Sequence, residues 1–129
     1  MKFLLIALGG GLGAVARYSL TTAIQSRTWS SPYAGTLMVN VLGCFLIGFL
    51  AQLFSGAWPV REELRLAILV GVLGGFTTFS SYAFESFALF ESGERTQAIL
   101  NVVLSNVLGL LAAWGGFALA ARMVASSGS

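Results

Sequence analysis

The sequence has no histidine, a single cysteine and few charged residues, and each shortage excludes a class of function. Without histidine, the chain cannot build a Ser-His-Asp or Cys-His nucleophile or a histidine-ligated metal centre. Cys44 stands alone, so an internal disulfide is impossible. Charged residues make up 9% of the 129 residues, against about 25% in soluble domains. A formal net charge of +2, with no basic run, argues against nucleic-acid binding.

Long uncharged stretches fill most of the chain and predict membrane-spanning helices, each of which needs about 20 mostly apolar residues. The stretches 28–60, 66–84 and 96–121 can each hold one span, and an apolar run from residue 3 continues past Arg17. A cleaved signal peptide is the alternative for the first span. The many glycines of this segment and the apolar run beyond Arg17 favour a membrane-spanning helix instead. We predict one all-α integral membrane domain over residues 1–129, with helices at about 3–24, 34–54, 64–90 and 96–121 and a loop around Ser30, Ser31 and Pro32.

Positive charge is divided almost evenly between the two ends of these helices. An excess of Lys and Arg on one side normally fixes the orientation of a membrane protein. Two interpretations remain open: weak statistics in a small protein, or dual topology, in which copies insert both ways and pair as an antiparallel dimer. One side carries Lys2, Arg61, Arg65 and Arg122, and the other carries Arg17, Arg27 and Arg95.

Amides and hydroxyls inside two predicted spans share helix faces. Thr36 and Asn40 lie four residues apart on the second helix, as do Asn101 and Ser105 on the fourth. An amide in hydrocarbon without a partner costs several kcal/mol, so it must face protein or water. These residues therefore indicate either interhelical hydrogen bonds or a polar pathway between helices.

The third predicted helix contains Gly74 and Gly75 followed by four hydroxyl residues, which favours a helix broken within the membrane over a plain kink. Unwound carbonyls at such breaks can coordinate a cation, and oxygen-only ligation suits an alkali ion. Two charged residues also fall within spans. Arg17 and Glu85 indicate either a wet functional interior or placement at the membrane interface.

Three segments on successive predicted helices together resemble the CrcB/Fluc family of fluoride channels. The similarity covers nearly the whole chain, with the motifs in the family's order and spacing. It implies a dual-topology dimer in the bacterial inner membrane, with four spans per chain. The matching segments are GGGLGAVARY at 9–18, GTLMVNVLG at 35–43 and GGFTTFS at 74–80.

The resemblance also implies roles for individual residues. Gly74 and Thr77 would give backbone carbonyls to a structural sodium ion at the dimer two-fold axis. Asn40 would hold fluoride by its amide, near aromatic rings at 79 and 82. The family usually has phenylalanine where this chain has Tyr82, which adds a hydroxyl. The implied fluoride pathway comprises Asn40, Phe79, Tyr82, Ser81, Thr36, Arg17, Glu85, Ser105 and Asn101.

The expected function is therefore that of a passive, fluoride-selective channel, not an enzyme, with fluoride, sodium, the lipid bilayer and a second copy of the chain as partners. A small multidrug-type, proton-coupled cation exporter is the rival hypothesis, because it also has four short spans. Such exporters need a carboxylate on the first helix, where this chain has Arg17. Glu85→Gln distinguishes the two: an exporter would lose coupling, whereas a channel would keep passive conduction.

Overall fold

The computed structural model describes residues 1–27 and 31–128, and the regular structure within these ranges is entirely helical. The predicted loop around Ser30, Ser31 and Pro32 lies partly outside the described residues, since 28–30 are not among them. The elements are α1 (Lys2–Gln25), α2 (Ala34–Ser55), α3 (Glu62–Leu66), a π-helical segment (Ala67–Val72), α4 (Leu73–Phe76), α5 (Phe79–Glu91) and α6 (Arg95–Ser127).

Four helical stretches are long and apolar enough to cross a membrane, as the charge spacing predicts. The third span consists of α3, the π-helical segment, α4 and α5, and the fourth continues past the predicted end to Ser127. In hydrocarbon only closed hydrogen-bonding patterns such as helices can span, which explains why every apolar stretch is helical. The spans are Lys2–Gln25, Ala34–Ser55, Glu62–Glu91 and Arg95–Ser127.

Glycine lets α1 pack directly against the backbone of the third span. A Cβ on Gly13 would lie 2.8 Å from Phe76 N and closer still to Val72 O. On the opposite side, a Cβ on Gly75 would collide with Gly10 O. Small residues four apart allow such close approach in lipid, where burial of apolar surface gives no drive for helix association. Glycine at these positions is therefore what allows the two backbones to come this close.

The most extensive helix contact joins α2 and α6, and it follows the same principle. A Cβ on Gly48 would collide with Ala113 O, and one on Gly116 would collide with Phe45 O. Few side chains are fully enclosed, and Val39 and Asn101 are the largest of them. Most large apolar side chains point outward, where lipid rather than water would surround them.

Two residues with extended backbone, Thr77 and Thr78, separate α4 from α5. Thr77 has ψ 155°, and Thr78 has φ −148° and ψ 111°. The π-helical segment just before α4 was not predicted from the sequence. π-helical segments are rare in proteins, and those that occur often lie at functional sites. The third span is therefore irregular at the point where it faces Gly9 and Gly13 of α1.

The turn from α5 to α6 is a Schellman motif. Gly93 takes the left-handed conformation with φ 87°, which glycine adopts without a Cβ penalty. Its N–H donates to Phe90 O, and the Glu94 N–H donates to Leu89 O, so the last carbonyls of α5 are satisfied. This short turn sets α5 beside the first half of α6.

Candidate functional site

The side chain of Asn40 on α2 makes hydrogen bonds to both the N–H and the C=O of Thr78. Asn40 Oδ1 accepts from the Thr78 N–H at 2.7 Å, and Asn40 Nδ2 donates to Thr78 O at 2.9 Å. The amide orientation is fixed because a backbone N–H can only donate and a carbonyl can only accept. The Thr78 N–H thus bonds to Asn40 and not to the carbonyl one turn earlier, and the Asn40 amide keeps one further N–H.

Two carbonyls of the third span lose their helical partners as a result. In a continuous helix the Thr78 N–H would bond to Gly74 O, but it donates to Asn40 instead. The Ser81 N–H would bond to Thr77 O, but it donates to Thr78 Oγ1 at 3.1 Å. A Cβ on Gly74 would meet nothing within 4 Å. The carbonyl oxygens of Gly74 and Thr77 thus lack the hydrogen bonds that a continuous helix would give them.

Thr78 also caps α5, a role that the sequence analysis missed. Its hydroxyl oxygen accepts from the Ser81 N–H and its hydroxyl contacts Ser81 Oγ at 3.1 Å. Threonine is a favoured N-cap residue because its side chain satisfies an orphan N–H of the first turn. The signal was present as a Thr followed three residues later by Ser81, but without the helix boundary it could not be assigned.

A cavity of about 350 Å³, here called the inner cavity, opens between α2, the third span and α6. No charged side chain lines it in the described part of the chain, and its polar groups are amides, hydroxyls, the Cys44 thiol and backbone. The rings of Phe79 and Tyr82 stand on one wall, with centroids 5.3 Å apart and planes tilted by 51°. The residues that line it and matter here are Asn40, Gly74, Thr77, Thr78, Phe79, Tyr82, Ser105 and Asn106.

A second cavity of about 670 Å³, here called the outer cavity, lies between α1, α2 and α5. Arg17 lines it, with its Nε donating to Gly75 O at 3.0 Å. Across from it, Thr36 Oγ1 donates to Glu85 Oε1 at 2.6 Å, while Glu85 Oε2 is buried and has no partner among the described residues. Thr78 lines both cavities. The polar lining is Arg17, Tyr18, Thr21, Thr22, Gln25, Ser26, Thr36, Thr78, Ser81 and Glu85.

The residues expected to form one pathway therefore fall into two groups with one exception. Asn40, Phe79, Tyr82 and Ser105 line the inner cavity, together with Gly74 and Thr77. Arg17, Thr36, Ser81 and Glu85 line the outer cavity. Asn101 lines neither, because it is enclosed between α5 and α6 and is only 1% exposed.

Asn101 is instead the centre of a directed chain of hydrogen bonds. The Ser105 hydroxyl donates to Asn101 Oδ1 at 3.1 Å, and Asn101 Nδ2 donates to Ser86 Oγ at 2.9 Å. The Ser86 hydroxyl then donates to Tyr82 O at 2.8 Å. Each of these three side chains has a hydrogen-bond partner, and together they connect α6 to the backbone carbonyl of Tyr82. Ser86 was not anticipated, since nothing in the sequence tells which α5 hydroxyl faces α6.

Comparison with known proteins identifies the family of this chain. Residues 4–117 match the family model described as CrcB-like protein, Camphor Resistance (CrcB). The chain belongs to the CrcB family. It is 48% identical over 122 residues to a Solibacter usitatus protein, covering 95% of this chain and 100% of the relative. Relatives from Desulforapulum autotrophicum, 46% identical over 92% of this chain and 94% of the relative, and Thermus thermophilus, 45% identical over 95% and 96%, are similar to it. All three carry the name fluoride-specific ion channel FluC.

In this CrcB-family chain, we expect Asn101→Leu to lower stability. The change removes a donor to Ser86 and an acceptor for Ser105 from an enclosed site, which costs about 1–3 kcal/mol. Thermal unfolding in detergent should show a clearly lower midpoint. In a Ser86→Ala background the same change should cost less, because one bond is already absent. Fully additive losses would contradict the chain of bonds described above.

Proposed function

We propose that this chain forms a passive, fluoride-selective channel that lets fluoride leave the cytoplasm across the bacterial inner membrane. The observation that carries the proposal is the inner cavity, whose lining combines the Asn40 amide, the Phe79 and Tyr82 rings and no charged side chain. The names of the CrcB-family relatives support it. The proposed activity moves an ion without making or breaking a covalent bond.

The lining of the inner cavity suits a small and strongly hydrated anion. Fluoride must exchange its water for other hydrogen-bond donors, and Asn40 retains one amide N–H for this purpose. An aromatic ring edge carries partial positive charge through the ring quadrupole, so Phe79 offers a weak second contact. Weak contacts are useful because an ion must leave as readily as it enters. Arginine side chains in this cavity would hold fluoride too tightly.

The outer cavity would act as the entrance to this path. Arg17 raises the local concentration of anions there, while its bond to Gly75 O holds it beside the third span. Glu85 would repel an anion, but the hydrogen bond from Thr36 to one carboxylate oxygen offsets part of its charge. Thr78 lines both cavities, so we place the passage between them at this residue.

No energy source is needed for export by such a path. Hydrogen fluoride enters cells as a neutral acid and ionises in the less acidic cytoplasm, which traps the anion. A membrane potential that is negative inside contributes about 2.3 kcal/mol per charge at 100 mV and drives the anion outward. A channel therefore suffices, and the proton-coupled exporter explains fewer of the observed residues.

We further propose that two copies pair as an antiparallel homodimer around a structural sodium ion. The carbonyls of Gly74 and Thr77 lack helical partners, and oxygen-only ligation fits an alkali cation. Bound there, the ion would supply positive charge that holds together two irregular backbones. Phe79 is 79% exposed in the single chain, which favours a partner copy over that ring. Light scattering tests the dimer, and its dissociation in sodium-free buffer tests the ion.

The experiment that tests the channel is anion efflux from liposomes containing the purified chain. A potassium gradient with valinomycin allows net anion flow, and fluoride and chloride electrodes record both ions in parallel. Rapid loss of fluoride with chloride retained is the expected result. Equal loss of both anions would refute selectivity, and loss of neither would refute the channel. Glu85→Gln, run beside the native chain, should retain passive conduction.

We expect Arg17→Gln to reduce fluoride efflux several-fold at low ionic strength. Glutamine keeps an N–H donor but removes the charge from the outer cavity. The deficit should shrink in high salt, because the screening length falls from about 30 Å at 0.01 M to about 3 Å at 1 M. Arg122→Gln is the matched control, since it removes the same charge near the end of α6. A deficit that is independent of salt would contradict an electrostatic role for Arg17.

A further inference from the structure

Asn106 holds the hydroxyl of Tyr82 in a defined direction. Its Nδ2 donates to Val102 O, one turn earlier on α6, at 2.8 Å. The carbonyl can only accept, so this bond fixes which side of the amide is nitrogen. The second N–H of the same nitrogen reaches the Tyr82 hydroxyl oxygen at 3.2 Å. The Tyr82 oxygen is therefore an acceptor in this pair.

This assignment leaves the Tyr82 hydroxyl proton available. The phenol carries one O–H donor, and it makes no other hydrogen bond to residues 1–27 or 31–128. Tyr82, Asn106 and Phe79 all line the inner cavity. Asn106 is exposed in the single chain although it lies within a predicted span. An amide costs several kcal/mol in contact with lipid, so its position indicates a wet or protein-lined interior.

The backbone of Tyr82 is also held by a hydrogen bond. The chain of bonds from Ser105 through Asn101 and Ser86 ends on Tyr82 O, which anchors the backbone that carries the ring. Asn106 thus bonds to the Tyr82 hydroxyl, and Ser86 bonds to the backbone carbonyl of the same residue. Such preorganised donors need little rearrangement to receive an ion.

From this geometry we propose that the Tyr82 hydroxyl is a hydrogen-bond donor to the anion in the inner cavity, and that Asn106 is the positioning residue that directs it. The proposal rests on the proposed channel function and deepens it. A smaller anion accepts a stronger hydrogen bond, so this donor would favour fluoride over chloride. A phenylalanine ring alone could not supply such a donor.

The test measures fluoride and chloride efflux against anion concentration for five chains: native, Tyr82→Phe, Asn106→Leu, the double variant and a control. Loss of a hydrogen bond to a charged group should raise the fluoride concentration for half-maximal efflux by about tenfold in Tyr82→Phe. Asn106→Leu should give a smaller rise, and only where Tyr82 is present. The ratio of fluoride to chloride efflux should fall in parallel. Ser126→Ala, near the end of α6, should behave as the native chain.

The readouts separate this role from a merely structural one. A structural defect would lower maximal efflux for both variants but leave the half-maximal concentration unchanged, and that result would overturn the proposal. So would an unchanged Tyr82→Phe chain, or an Asn106→Leu effect that persists in the Tyr82→Phe background. If the native chain conducts fluoride and Tyr82→Phe conducts it equally well, only this inference is overturned. A native chain that conducts no fluoride overturns the proposed function as well.

Discussion

Gly13→Ala is expected to lower the stability of the fold strongly. The added methyl would collide with Val72 O and lie 2.8 Å from Phe76 N, both of which are backbone atoms of the third span. Backbone atoms cannot rotate away, so α1 must move off the helix against which it packs. Overpacking of this kind costs about 3 kcal/mol at the upper end of its usual range. We expect the thermal midpoint in detergent to fall by roughly 10 °C.

The matched controls for this prediction are Gly11→Ala and Gly115→Ala. A Cβ at either position would meet nothing within 4 Å in the single chain. Alanine favours the helix over glycine by up to about 1 kcal/mol, so these variants should be as stable as the native chain or more so. Size-exclusion profiles and thermal unfolding would be compared under the same conditions. A Gly13→Ala chain that unfolds together with Gly11→Ala would refute the close packing of α1 on the third span.

Asn40→Leu is expected to abolish fluoride conduction and to destabilise the fold. Leucine has similar volume but leaves the Thr78 N–H and C=O without their partners. Each unsatisfied buried group costs about 1–3 kcal/mol. The change also removes the one amide N–H left to face the inner cavity. We expect fluoride efflux at least about 100-fold below that of the native chain, because the donor and the backbone that it positions are lost together.

Gln52→Leu is the matched control, since it makes the same kind of change on α2 at a residue that lines neither cavity. Asn40→Asp separates the two effects, because a carboxylate still accepts from the Thr78 N–H but cannot donate to Thr78 O. That variant should fold better than Asn40→Leu and still conduct poorly, since its charge repels anions. Native efflux in Asn40→Leu would contradict the role assigned to this amide.

The spans and the family were predictable from the sequence, whereas the pairing of polar side chains was not. Charges interrupt the chain often enough to separate four apolar stretches, so the number of spans follows from spacing alone. Asn101 and Asn106 illustrate the limit. Both are amides on α6, yet one is enclosed and tied to Ser86 while the other is exposed and reaches Tyr82. Only the packing of α5 against α6 distinguishes them.

The irregular backbone of the third span could likewise be predicted from the sequence only in part. Two glycines and a run of hydroxyls mark a weak point in the helix. They do not tell that Asn40 bonds to Thr78 rather than to another residue, or that a π-helical segment precedes the glycines. That segment lies against Gly9 of α1, so it depends on contact between residues far apart in sequence. Local helix propensity cannot predict contacts between residues that are distant in sequence. The roles of individual residues in fluoride passage stay predictions.

The bond between Asn40 and Thr78 has a consequence for the order in which the protein is assembled. The Thr78 N–H donates to Asn40 and not to an acceptor in its own span, and an unsatisfied backbone group in hydrocarbon costs several kcal/mol. The third span therefore enters the bilayer at lower cost if α2 is already there to receive it. Synthesis from the N-terminus provides this order, because residue 40 leaves the ribosome before residue 78. A permuted gene that placed the third span first would deprive the nascent helix of its partner during insertion.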